Sequence, residues 1–226
     1  RKTRIIASNQ HVLRVDRETK HDISPASFDR LVSFMESVMP DIDVVLVSDY
    51  NKGLVTEDLM GLVAAAAQRY GKIIVVDPKG LDYTKYKGAT LLTPNRKEAS
   101  LAAGVEIVDD ASLEKAADRI MAMTGLEKLL ITLGQDGMAL FESGHPAYRI
   151  ATRARQVYDV SGAGDTVLSV LGLALGLGAS FQDSVVMANA AAGIVVGKVG
   201  TAPVSIDELQ SALSNGRQPF PSKHRT

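Results

Sequence analysis

The sequence predicts an α/β fold built on a mostly parallel sheet with helices on both faces. Three observations carry that reading. Short Val-, Ile- and Leu-rich runs alternate with helix-like stretches that begin at capping residues. The runs are continuously apolar rather than alternating, as in strands covered on both faces. Polar clusters follow directly after them, at the strand ends where such sheets bind ligands.

Taken in order, residues 3–6 and 12–15 flank the polar Ser8-Asn9-Gln10 and read as an exposed hairpin, with 1–20 set apart as a lid segment. A helix over 27–39 follows Ser24-Pro25 and ends at Pro40. The run 44–48 is the first strand expected to be buried on both faces. Thr56 caps a helix that carries Glu57 and Asp58 in its first turn and stops at Gly71. Strands are expected at 73–76 and 90–93, a helix from about Asn95, another over 112–124, and a strand at 129–133. Residues 138–141 and 148–151 read as an antiparallel pair, and 163–177, 181–198 and 206–214 as helices. Residues 21–218 form the expected core, and 219–226, with Pro219, Pro221 and a basic end, a linker or tail.

Composition narrows the function classes. A net charge of -1 leaves no electrostatic footprint for nucleic acid. The absence of cysteine removes disulfides, thiolate catalysis and zinc–thiolate sites, and fits a cytoplasmic setting. The four histidines lack metal-ligand spacing. The most apolar stretch, 167–177, is broken by Gly172 and Gly176 and is too short to span a bilayer. The chain begins at Arg1 without Met and reads as a fragment or a processed protein.

The richest segment is Asp159-Val160-Ser161-Gly162-Ala163-Gly164-Asp165-Thr166, ahead of a long apolar helix. Glycines at a helix start expose amides and the positive dipole end to an anion. A carboxylate beside such a site suits phosphoryl transfer, with Asp165 taking the acceptor's proton. Taken alone, the segment is equally a tight turn with a cap. Asn95-Arg96-Lys97-Glu98 has capping-box spacing, and a Glu there also suits the water shell of Mg²⁺. Thr132-Leu133-Gly134-Gln135-Asp136-Gly137 is a Gly-closed turn or a nucleotide-approach loop. The small residues of Ala188-Asn189-Ala190-Ala191-Ala192-Gly193 fit close helix packing or leave room for a base.

Together these segments resemble the ribokinase-like (PfkB) family of carbohydrate kinases over roughly residues 1–218, with the Gly-Ala-Gly-Asp motif the most specific match. Ser48-Asp49-Tyr50-Asn51-Lys52-Gly53, Val76-Asp77-Pro78-Lys79-Gly80 with Tyr83 and Tyr86, and Leu92-Thr93-Pro94-Asn95-Arg96-Lys97-Glu98-Ala99 look closer to the family's heptose 7-phosphate kinases. The resemblance implies a three-layer α/β sandwich with a small β lid. It implies ATP-dependent phosphorylation of the anomeric hydroxyl of D-glycero-β-D-manno-heptose 7-phosphate, on the route to ADP-heptose and lipopolysaccharide core.

By that resemblance Asp165 is the general base, and the amides around Gly162, Ala163 and Gly164 stabilise the transferring phosphoryl group. Asn95, Glu98, Thr132, Gly134, Asp136, Gly137, Asn189 and Gly193 bind ATP, Glu98 holding Mg²⁺ through water. Asp49, Lys52, Lys79 and Arg155 are the candidates for substrate or phosphate contact. A monovalent cation near Asp159, a homodimer and a fused nucleotidyltransferase domain belong to the same expectation. The family's early strands and Gly-Gly signature are not among these residues, so the sugar half is expected to be incomplete and the segment inactive alone. The competing readings are another sugar, nucleoside or vitamin kinase of the family, and a nucleotide-binding module without catalysis. A dinucleotide-binding dehydrogenase is disfavoured, because no Gly-x-Gly-x-x-Gly follows a first strand.

Overall fold

A computed structural model describes residues 2–7, 10–18, 21–152 and 157–214. Ser8-Asn9, Arg155 and the 219–226 tail lie outside the described residues. Strands β1 (Lys2–Ala7) and β2 (Gln10–Asp16) pair antiparallel as a two-stranded sheet of their own. The main sheet has six strands in chain order: β3 (Val44–Ser48), β4 (Ile73–Asp77), β5 (Leu91–Leu92), β6 (Lys128–Thr132), β7 (Met138–Glu142) and β8 (Tyr148–Ile150). β3 to β6 run parallel, while β7 and β8 return antiparallel.

Alternation along the strands sorts side chains into two cores. Ile74, Val76, Leu92, Leu129 and Ile131 pack with residues of α2 (Glu57–Tyr70), α3 (Arg96–Ala103) and α4 (Asp110–Thr124). Val75, Leu91 and Leu130 point the other way, against α5 (Ala163–Gly176) and α6 (Phe181–Val195). Burying each such side chain stabilises by roughly 1.5–3 kcal/mol, so a one-residue slip in any central strand would be heavily penalised. The result is helix, sheet and helix in three layers. Helices α1 (Pro25–Val38) and α7 (Ile206–Ser214) complete the set. No helix among the described residues is long and apolar enough to cross a membrane.

Three expectations are corrected. Among the described residues the run 44–48 lies at the edge of the sheet and is only partly buried, with Leu46 40% exposed. An apolar run alone does not distinguish edge from centre. Helix α4 begins at Asp110 rather than Ser112, since Asp109 and Ser112 cap each other reciprocally. Helix α6 ends at Val195, where Gly197 and Lys198 turn back onto Ile194 and Val195, short of the expected Lys198.

Candidate active site

A cleft of about 470 Å³ lies between the β6–β7 turn, the start of α5 and the C-terminal half of α6. Thr132, Gly134 and Gly137 line one wall, Ala163 and Gly164 the end, and Asn189 and Gly193 the wall opposite. These residues are far apart in the chain, and the fold brings them to one place. Asn189 is buried and its amide donates to the Ala151 carbonyl at 2.8 Å, which fixes its orientation. Sequence reasoning missed Met138, Val157, Val160 and Val196, whose apolar side chains complete the lining. Their only signal is hydrophobicity beside a turn, which every core residue shares.

Gly162, at φ +80°, is the left-handed N-cap that starts α5. Ala163 N–H already donates to the Val160 carbonyl (3.2 Å), and Thr166 N–H and hydroxyl both donate to Gly162 (2.9 Å). Of the amides expected around Gly162, Ala163 and Gly164, that of Ala163 is engaged within the turn in this structure. The first-turn amides that helix geometry leaves open are those of Gly164 and Asp165. Asp165 itself is exposed beside the cleft. Just before the turn, Asp159 accepts from Ser161 N–H at 2.9 Å, and hydrogen bonds from Ser161 and Gly200 hold its carboxyl below the usual range.

A second group of side chains gathers at the C-terminal ends of β3 and β4. Asn95 and Glu98 form a complete capping box: Glu98 N–H donates to Asn95 Oδ1 (3.0 Å), and Asn95 N–H to Glu98 Oε2 (3.1 Å). Glu98 Oε1 receives the Lys79 ammonium. That contact raises the lysine's pKa, chiefly through the hydrogen bond to Glu98. Asp77 is pushed up to about 6 by burial first, then by the charges of Glu98, Asp165 and Asp49, with Lys79 opposing. The charge of Asp165, on α5, thus reaches Asp77. Tyr83 is wholly buried under it, and its hydroxyl has no partner among the described residues. Burial and the charges of Glu98 and Asp77 drive its pKa upward.

The Asp77 shift has a measurable consequence. A carboxyl that holds its proton more tightly when folded contributes stability below pH 4, and loses it as pH rises through about 6. The shift corresponds to at most about 3 kcal/mol. Asp77→Asn is therefore expected to stabilise the protein at pH 7.5 without added divalent metal and to leave it unchanged at pH 4. Urea unfolding at both pH values measures this, and an equal effect at the two would contradict it.

Asp49 does not join the cleft. It is 4% exposed, and its oxygens are taken by Asn51 N–H (2.7 Å), the Tyr86 hydroxyl (2.6 Å) and the Lys85 ammonium (2.6 Å). In this structure the Asp49 carboxylate is fully engaged by protein donors and braces the strand ends. Asp136 points away too, paired with Arg96, which also reaches the Leu133 carbonyl and so ties the β6–β7 turn to α3. Lys52 is paired with Glu18, beyond β2.

The site can now be set beside known proteins. The Bifunctional protein HldE of Desulfatibacillum aliphaticivorans is 55% identical over 215 residues, covering 95% of this chain and 44% of that protein. Its namesake from Geobacter sulfurreducens is 49% identical over 213 residues, with 94% and 44% covered. The chain thus spans less than half the length of these curated relatives. Phosphofructokinase-2 from Escherichia coli, in complex with potassium, matches with a TM-score of 0.73 at 22% identity over 86% of this chain and 63% of its own. Arabidopsis thaliana ribokinase, complexed with ribose and ATP, matches with a TM-score of 0.66 at 22% identity over 87% and 60%. At such identities the likeness carries the fold, which is ribokinase-like. The glycine turn with its cleft and the Asn-x-x-Glu helix start lie within residues 2–208, the span that matches the pfkB family carbohydrate kinases, and the chain belongs to that family.

Proposed function

We propose that this chain forms the ATP-binding part of a kinase that phosphorylates the anomeric hydroxyl of D-glycero-β-D-manno-heptose 7-phosphate, yielding the 1,7-bisphosphate for ADP-heptose and lipopolysaccharide core. One observation carries the phosphotransfer reading. The Gly162–Asp165 turn closes the end of a cleft large enough for a nucleotide and presents a carboxylate on the side of the polar strand ends. The heptose assignment is supported by the strand-end segments 48–53, 76–80 and 92–99 and by the 55% and 49% identity to HldE proteins.

In this reading the adenine and ribose of ATP lie between the Thr132–Gly137 turn and Asn189 to Gly193. The Asp165 carboxylate accepts the proton of the anomeric hydroxyl as its oxygen attacks the terminal phosphorus. The amides of Gly164 and Asp165, with the dipole of α5, stabilise charge on the transferring group. Positioning and electrostatics of this kind supply most of the rate in phosphoryl transfer. Lys52 and Lys79, on the strand-end side, are the candidates for the 7-phosphate.

The strand ends also fit a magnesium ion. Asp77 is pushed up by burial first and then by neighbouring carboxylates, a negative charge that a hard divalent cation relieves. No three His, Cys, Asp or Glu side chains converge as ligands among the described residues, so Glu98 would hold the ion through its water shell. When bound, it neutralises phosphate charge. A cytoplasmic homodimer with a fused nucleotidyltransferase domain completes the proposal.

Supplying the full-length protein with ATP, Mg²⁺ and a panel of sugar phosphates tests it. ADP release with heptose 7-phosphate is expected to exceed that with other sugars by roughly 10²-fold or more. A different preferred sugar overturns the heptose assignment and leaves the kinase. ATP–Mg²⁺ binding without ADP release on any acceptor favours a nucleotide-binding module instead.

A further inference from the structure

Glu98, the residue assigned to magnesium, has both oxygens engaged inside the protein. Oε2 accepts the Asn95 amide in the capping box, and Oε1 accepts the Lys79 ammonium. The two bonds differ in kind. The first is part of how α3 begins and is fixed by local backbone geometry. The second joins a glutamate whose side chain is 14% exposed to a lysine whose side chain is 51% exposed, so the lysine is the partner free to leave.

The turn that carries Lys79 is held independently of that ammonium. Lys79 N–H donates to the Tyr86 hydroxyl at 2.9 Å, and that hydroxyl lies 2.6 Å from Asp49 Oδ2. Asp49 is anchored in turn by Lys85, whose ammonium also donates to the Val55 carbonyl (3.3 Å). The Lys79 side chain can therefore swing away while its backbone stays in place. The acidic surroundings explain why a cation is kept there: the charges of Glu98, Asp165 and Asp49 all bear on the partly buried Asp77 two residues before Lys79.

We propose that Lys79 is a resident counter-cation for Glu98, which an arriving divalent metal ion must displace. The inference rests on Glu98 being the magnesium residue of the proposed kinase, and it adds a competitor built into the same site. Lys79 neutralises Glu98 until the metal comes, so metal affinity is set by an exchange of cations rather than by filling an unpaired carboxylate.

Manganese is a suitable probe, because free Mn²⁺ is counted directly by electron paramagnetic resonance during titration of the protein without nucleotide. Lys79→Met is expected to bind Mn²⁺ about two- to fivefold tighter than the unmodified protein, the range that loss of a partly exposed ion pair allows. Lys79→Arg, which keeps the charge, is expected to restore the original affinity. Raising the salt concentration should narrow the gap between the Met variant and the unmodified protein. Equal or weaker binding by Lys79→Met, or no binding detectable in any variant, overturns the competition. Glu98→Gln separates the premise from the inference. If it leaves Mn²⁺ binding unchanged, the magnesium role of Glu98 itself is wrong. If it weakens binding while Lys79→Met gains nothing, only the exchange falls.

Discussion

Asp165→Asn is expected to lower turnover by about 10²–10⁴-fold, the contribution of a positioned general base. ATP–Mg²⁺ affinity should stay within roughly twofold, because a base makes its gain in the transition state rather than in ground-state binding. The two halves separate in the structure. Gly164 lines the cleft, whereas Asp165 is exposed beside it and its charge reaches Asp77. Asparagine preserves the size of the side chain and leaves the first-turn amides of α5 in place, so the variant should fold. Losing a negative charge near a helix N-terminus costs only about 0.3–1 kcal/mol. Titration calorimetry with ATP and a coupled ADP assay on the full-length protein together decide the matter. Near-normal turnover would remove Asp165 from the base role, and a parallel collapse of ATP binding would make it a binding residue instead.

Gly137→Ala is expected to be the most damaging single-methyl change in the cleft. A Cβ at this position would lie 1.9 Å from the Ile150 carbonyl oxygen and 2.7 Å from backbone atoms of Ala151 and Thr152. No rotamer relieves a clash with backbone, and the φ of +86° adds conformational strain. The β6–β7 turn and β8 would have to separate. The combined cost is at least about 3 kcal/mol, a fall in melting temperature of roughly 6–12 °C. Gly134→Ala is the matched control. It has a similar φ of +64° but nothing within 4 Å of the added atom, so it should lose only about 1 kcal/mol. If the two variants melt alike, close approach is not what holds this turn.

The sequence reveals most where the relevant physics is local. Thr56 with Gly71, and Asn95 with Glu98, mark their helices through bonds three or four residues long, and the structure contains them as expected. The positions of the strands were equally legible, since each is a short apolar run between turn or cap signals. The bracing of the site was not. Lys79 with Glu98, Asp49 with Tyr86 and Arg96 with Asp136 are separated by 19, 37 and 40 residues. Nothing in their immediate neighbours tells a substrate-facing charge from an internally paired one. Asp49 and Asp136 were therefore expected to meet ligands, while Tyr86 and Lys85, which hold the strand ends, carried no local signal of that task. The Ala163 amide shows the same limit on a smaller scale: the motif announces a turn but not which of its donors the turn consumes.

Strand β3 gives the molecule two unlike flanks. On one flank the sheet closes with β8, three residues long and carrying Arg149. On the other, Val44-Val45-Leu46-Val47-Ser48 offers a row of backbone donors and acceptors with no charge, proline or bulge to interrupt it. Natural sheets seldom leave such a border unguarded, because any extended peptide can extend it. For this segment on its own, the β3 border is therefore expected to govern self-association.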